Sequence, residues 1–111
     1  MGLPCLTVPD SLVPELGDIL NASGFIVERI DVPRRNGWVE PSFCLICRDR
    51  SGAAIRLRFA GERGSAVPTR LTLVLEPFSL SWQNTLADSR LLEEVAETLQ
   101  SKGAVKPLPR P

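Results

Sequence analysis

Residues 43–60 read FCLICRDRSGAAIRLRFA, which is the pattern of two strands joined by a tight turn. The first half is apolar at nearly every position, as is typical of a strand inside a sheet. The second half alternates between apolar residues at 55, 57 and 59 and arginines at 56 and 58. Between them, Asp49–Gly52 supplies turn-forming residues. The stretch therefore predicts a central antiparallel hairpin of Ser42–Arg48 and Ala53–Ala60.

Two further strands and two helices flank this hairpin. Phe25–Val32 is rich in β-branched residues and is followed by Asn36 and Gly37, a strong hairpin signal, while Thr69–Glu76 alternates. Apolar residues at helical spacing predict helices over Asp10–Ser23 and Leu86–Lys102. We expect an α+β two-layer sandwich in the order α-β-β-β-β-α, in which a four-stranded antiparallel meander carries both helices on one face.

The length of 111 residues fits one domain. We place this domain at residues 10–103, after an extended N-terminal segment, 1–9. Gly103 ends the last helix, and residues 104–111 are rich in proline, so we expect them to form a mobile tail.

Composition removes several classes of function. The chain has no His, which excludes His-based catalytic triads and the commonest metal ligand. Basic and acidic residues cancel, at 13 each, so no net field draws the chain to nucleic acid or to a membrane. No apolar run approaches the length of a membrane span, and the start does not resemble a secretory signal. With three cysteines, an odd number, we expect a cytoplasmic protein.

The turn lengths predict a strand register and hence the two faces of the sheet. A two-residue loop at Asn36 and Gly37 pairs Ile30 with Phe43, and a two- or four-residue loop at 49–52 pairs Phe43 with Arg58. One face then forms the core beneath the helices: Phe25, Val27, Cys44, Ile46, Ile55, Leu57, Phe59, Leu71, Leu73 and Leu75. The opposite face collects Ile26, Ile30, Phe43, Leu45, Cys47, Arg56, Arg58, Arg70, Thr72 and Val74.

This second face fails to alternate to polar residues, which indicates an interaction surface. Arginine beside aromatic and aliphatic residues is also typical of the centre of protein interfaces. We expect a non-catalytic, adaptor-like or chaperone-like domain that binds a protein partner or itself, most simply as a homodimer. Its expected contact residues are Ile30, Phe43, Leu45, Arg56, Arg58, Arg70 and Trp38.

Two alternatives stay open. The chain's own segments could cover the second face, which would then be ordinary core. The arginines at 48, 50, 56, 58 and 70 could instead bind nucleic acid or another anionic ligand, with Phe43 stacking on a base. Zero net charge and the lack of a Gly-rich phosphate loop argue against the anionic ligand.

The residues with catalytic or metal-binding potential are few. Cys44 and Cys47 form a CxxC, but within a strand positions i and i+3 point to opposite faces, so the thiols cannot share a metal or close a disulfide. No carboxylate pair is spaced for acid–base work, and no Ser motif of a hydrolase occurs. We therefore expect no enzyme activity, no catalytic residue, no metal site and no cofactor.

The order of elements is similar to that of the RWD and ubiquitin-conjugating domains, which run from a helix through a four-stranded meander to another helix. No Cys follows the fourth strand, where conjugating enzymes carry their catalytic thiol. The resemblance rests on architecture and implies binding without chemistry.

Overall fold

The central hairpin forms as the middle of a five-stranded sheet. The computed structural model describes residues 5–33, 42–60, 70–78 and 85–104. Its elements are β1 (Cys5–Pro9), a 3-10 helix (Asp10–Glu15), α1 (Leu16–Ala22), β2 (Ile26–Asp31), β3 (Phe43–Arg48), β4 (Ala54–Ala60), β5 (Arg70–Pro77) and α2 (Thr85–Gln100). The α+β class with an antiparallel sheet and two helices is confirmed.

The residues that the structure describes form five strands, so the prediction of four is wrong. The sheet order is β1-β5-β4-β3-β2, and every neighbouring pair is antiparallel. Strands β2 to β5 form the expected meander. The additional strand comes from the segment predicted to be extended, because Leu6 and Val8 alternate with half-buried residues and pair with Leu73 and Leu71 of β5. Five residues with prolines nearby were too short a pattern to predict a strand.

The first helical segment divides at Pro14. Proline has no backbone N–H and cannot donate within an α-helix, so Asp10–Glu15 forms a 3-10 helix and the α-helix begins only at Leu16. The helix ends where Gly24 adopts a φ of 96°, and the Phe25 N–H donates to the Leu20 carbonyl at 3.1 Å.

Both helices pack on the same face of the sheet. Leu16 and Leu20 of α1 and Val95 and Leu99 of α2 are fully buried in one core with Leu57 of the sheet. Leu91 and Leu92 of α2 lie in the same core, so the apolar residues of α2 form one buried stripe. Neither helix within the described residues has the length and apolar character that crossing a bilayer requires.

The turn between β3 and β4 sets a register that differs by one residue from the prediction. Asp49 N–H donates to the Ala53 carbonyl at 3.2 Å, which leaves a three-residue loop with Gly52 at a φ of 94°. The Asp49 carboxylate stabilises this loop by accepting hydrogen bonds from Ser51 N–H at 2.9 Å and Ala53 N–H at 3.1 Å. A loop with an odd number of residues changes which residues of β3 and β4 lie opposite each other. Cys47 therefore pairs with Ile55, and Leu45 pairs with Leu57.

The register of β2 against β3 also differs by one. Ile30 lies opposite Cys44, and Asp31 lies opposite Phe43. The predicted loop at Asn36 and Gly37 lies outside the described residues. Because the register of β3 differs by one residue from the prediction against both neighbouring strands, its two faces are exchanged. The faces of β2, β4 and β5 are as predicted.

Candidate functional site

We call the surface of the sheet opposite the helices the outer face. Within the described residues, no helix or strand packs over it. The register assigns to it these residues: Cys5, Thr7, Pro9, Ile26, Glu28, Ile30, Cys44, Ile46, Arg48, Ala54, Arg56, Arg58, Thr72, Val74 and Glu76.

A charge cluster lies in the middle of the outer face. Glu76 is directly opposite Arg56 in the β4–β5 pair, and Arg58 lies two pairs further along, on the same face. One carboxylate oxygen, Oε1 of Glu76, accepts hydrogen bonds from Arg56 Nε at 2.7 Å and Arg58 Nε at 2.9 Å. The Glu76 side chain is only 15% exposed, whereas each arginine remains about 40% exposed (41% and 42%). Both guanidinium groups are therefore held in place and still reach solvent.

A second ion pair lies closer to β2. Arg48 Nη1 donates to Glu28 Oε2 at 3.2 Å, and both side chains are well exposed. Ile46 lies between the two charge groups, opposite Glu28 on one side and Arg56 on the other. It is 1% exposed, so the centre of the outer face is not an open apolar patch. What reaches solvent there is charged.

The predicted contact residues divide between the two faces. Ile30, Arg56 and Arg58 lie on the outer face as expected. Phe43 and Leu45 do not, which corrects the prediction: they pack against the core beneath the helices, and Phe43 meets Phe59 edge to face at 5.4 Å between ring centroids.

Two predicted contact residues are not placed by the structure. Arg70 begins β5 opposite Pro9, but its side chain lies outside the described part of the chain. Trp38 also lies outside the described residues. Their roles stay predictions.

The exposed apolar residues of the sheet are concentrated on β2, the last strand of the order. Ile26 is 56% exposed, Ile30 is 38% exposed, and Val32 directly after the strand is 38% exposed. Among the described residues, no strand pairs with the other edge of β2. Sequence reasoning missed this edge as a site, although Val32 and the charges at 28, 29 and 31 were visible.

The backbone of β2 presents hydrogen-bonding groups along this edge. Val32 N–H donates to the Ser42 carbonyl of the neighbouring chain segment at 2.8 Å. In an antiparallel pair, alternate residues direct both N–H and C=O to the same neighbour, so Glu28 and Ile30 also face β3. The N–H and C=O groups of Val27, Arg29 and Asp31 therefore point away from the sheet, where a further strand could bind them.

The helix side of the same edge carries a cation, an anion and a groove. The Arg29 guanidinium lies 4.1 Å from the centre of the Phe43 ring, and Arg29 Nε lies 3.5 Å from Asp31 Oδ1. A groove of about 380 Å³ opens beside them, between the helical segment at Pro14–Asn21 and the sheet. Side chains of a strand added to β2 would face this groove on that side.

Cys44 and Cys47 do not form a joint reactive site. The prediction that Cys44 and Cys47 point to opposite faces is confirmed, although Cys44 lies on the outer face and Cys47 in the core. None of the three cysteines, all of which lie in the described residues, forms a disulfide. Burial raises the pKa of the Cys47 thiol to about 12, with Asp49 adding to the shift, and burial also raises the pKa of Cys44. Both stay protonated near neutral pH, which makes them poor nucleophiles and poor metal ligands.

No family model matches the chain, and no curated protein or solved structure is significantly similar to it.

Proposed function

We propose that this protein is a non-catalytic interaction domain that binds a protein through the open edge of β2 and the adjoining outer face. The observation that carries the proposal is the exposure of β2 on both of its faces, with Ile26 and Ile30 among the most exposed large apolar residues described. An edge strand with free backbone groups is a template for pairing with another chain.

The composition around the edge fits recognition of a protein. Ile26 and Ile30 supply apolar contacts, and Arg56 and Arg58 extend the surface with guanidinium groups already oriented by Glu76. Oriented arginines next to aliphatic residues favour protein interfaces. As part of the same proposal, the protein acts in the reducing cytoplasm, which fits described cysteines that form no disulfide.

The pairing of the arginines favours a protein over a nucleic acid. Arg56 and Arg58 share Glu76, and Arg48 pairs with Glu28, so two carboxylates offset three guanidinium groups. A phosphate backbone would have to compete with these carboxylates and would meet their negative charge. The apolar edge of β2 also has no counterpart in a phosphate backbone.

Site-specific photocrosslinking tests the proposal. p-Benzoylphenylalanine is incorporated in place of Ile30, and in a matched control in place of Leu86, which is 84% exposed on α2. We expect protein adducts from position 30 and not from position 86, in the purified protein or in an extract of its source cells. The adducts should disappear when Arg29→Pro is added, because that change removes an edge N–H that β3 does not use.

Three results would overturn the proposal. Position 30 could give no adduct in either setting, it could react no more than position 86, or its adducts could survive Arg29→Pro. Separately, retention on RNA or DNA at low salt that is lost on replacing both Arg56 and Arg58 by alanine would replace protein binding with nucleic-acid binding.

A further inference from the structure

We infer that the strand which pairs with β2 is β2 of a second copy of this chain, antiparallel to it, with the two-fold axis at Ile30. This rests on the proposed function and names the partner. The two sheets would join into one ten-stranded sheet. The argument follows from the parity of the backbone groups, the order of charges along β2 and the exposure of the residues involved.

The backbone allows symmetric pairing. A two-fold axis perpendicular to the sheet relates antiparallel strands and keeps both outer faces on the same side. Each residue therefore lies opposite a residue whose side chain points to the same face. With the axis at Ile30, Arg29 and Asp31 of one copy lie opposite Asp31 and Arg29 of the other. These residues point their N–H and C=O groups to the free edge, so they form the hydrogen-bonded pairs. Ile30 meets its own copy in the closer, non-hydrogen-bonded pair.

The charges select this register among its neighbours. An axis at Glu28, Arg29 or Asp31 places that residue opposite its own copy and so opposes two like charges, which destabilises a sheet. The axis at Ile30 instead forms two Arg29–Asp31 pairs between the copies and places two exposed isoleucines together on the outer face. Within one strand, Arg29 Nε lies 3.5 Å from Asp31 Oδ1. The order of these two charges along β2 is complementary to their order in the two-fold copy.

The surroundings leave room for this pairing. Side chains of Arg29 and Asp31 are 62% and 86% exposed, so the first helical segment does not cover them on the helix side. Zero net charge means that two copies do not repel each other over long range. Within the described residues, the other edge strand, β1, offers less: its side chains are buried or half-buried along its whole length.

Charge exchange between two variants tests the second copy and its register together. Arg29→Asp makes both positions acidic, and Asp31→Arg makes both basic, so each variant alone opposes like charges twice. We expect each to dimerise about tenfold more weakly than the wild type. An equimolar mixture of the two restores opposite charges in both pairs and should form a heterodimer. The double variant Arg29→Asp/Asp31→Arg should form a homodimer again.

Sedimentation equilibrium gives the readout, with species at twice the chain mass of 12.2 kDa expected for the wild type, the mixture and the double variant. At concentrations where every variant is monomeric, circular dichroism and the thermal midpoint should change little, since the exposed intrachain pair contributes little and association adds nothing to stability there. A wild type that stays monomeric at about 1 mM would overturn the inference, because a dissociation constant of that size corresponds to a binding free energy of only ~4 kcal/mol. The inference would also be overturned if either single variant associated as strongly as the wild type, or if the mixture stayed monomeric. Adducts from position 30 with a different protein, together with a monomeric chain, would leave the proposed function standing.

Discussion

The Asp88 carboxylate of α2 accepts a hydrogen bond from the backbone N–H of Ala54, at 3.1 Å, and so joins the second helix to the start of β4. Asp88 is 1% exposed, and Ala54 is also buried. A donor at such a position needs an acceptor, because an unpaired buried N–H loses its hydrogen bond to water without replacement. This contact fixes the height of α2 above the sheet.

Replacement of Asp88 by alanine should destabilise the fold by about 1–3 kcal/mol, because the Ala54 N–H is left without its acceptor. Asp88→Asn is the matched control: its amide oxygen can still accept, so we expect a smaller loss. Urea unfolding measures both. Equal stability of Asp88→Ala and the wild type would show that this hydrogen bond is not needed.

The inverted faces of β3 predict which residues matter for stability and which for binding. Leu45→Ala should cost about 2–5 kcal/mol, since Leu45 is buried beneath the helices. Ile26→Ser should stay within about 0.5 kcal/mol of the wild type, since Ile26 is exposed at the edge. Urea unfolding of the two variants compares them directly. A Leu45→Ala variant as stable as the wild type would contradict the burial of Leu45 beneath the helices.

The turn at Asp49 predicts a dependence of stability on acid pH. Partial burial raises the pKa of this carboxyl, but hydrogen bonds from Ser51, Ala53 and Gly52 lower it, and the net shift is downward. The stabilisation should therefore be complete above the ordinary value of 3.8 and should be lost as the pH falls through the lowered pKa. Asp49→Asn cannot ionise and should lack this step. Unfolding curves of both proteins from pH 6 to 2 would reveal it, and identical pH profiles would contradict it.

A proline at position 29 should separate binding from folding. The Arg29 N–H points to the free edge, so Arg29→Pro removes no β2–β3 hydrogen bond and should cost little stability. Ile30→Pro is the matched control, since the Ile30 N–H faces β3, and it should cost about 1–3 kcal/mol because the β2–β3 ladder loses that hydrogen bond. Thermal unfolding at concentrations where the wild type and both variants are monomeric compares them. Similar losses in both variants would show that the N–H directions are assigned wrongly.

Much of the fold could be predicted from the sequence because apolar and polar residues alternate clearly in a strand that has one polar face. Arg56 and Arg58 among the apolar residues of β4 define its faces whatever the neighbouring turn does. In β3, both faces are apolar, so nothing in the strand itself separates Leu45 from Ile46. Its orientation then depended on two loop lengths, and a three-residue loop held by Asp49 changes the parity.

The candidate site was harder to predict than the sheet. The exposure of Ile26 and Ile30 follows from β2 being the last strand, which is a property of the sheet order rather than of the strand. The fifth strand, β1, pairs with β5 and leaves β2 at the opposite end. The burial of Ile46 also depends on tertiary packing. It leaves the border of the outer face, rather than its middle, exposed for apolar contacts.

Amide hydrogen exchange, followed residue by residue by NMR, examines the open edge in a single chain. At concentrations where the protein is monomeric, the amides of Glu28, Ile30 and Val32 should be protected, and those of Val27, Arg29 and Asp31 should exchange freely. On association, the second set should become protected as well. Protection of Arg29 and Asp31 already in the monomer would mean that the chain itself occupies this edge, and it would contradict binding through β2.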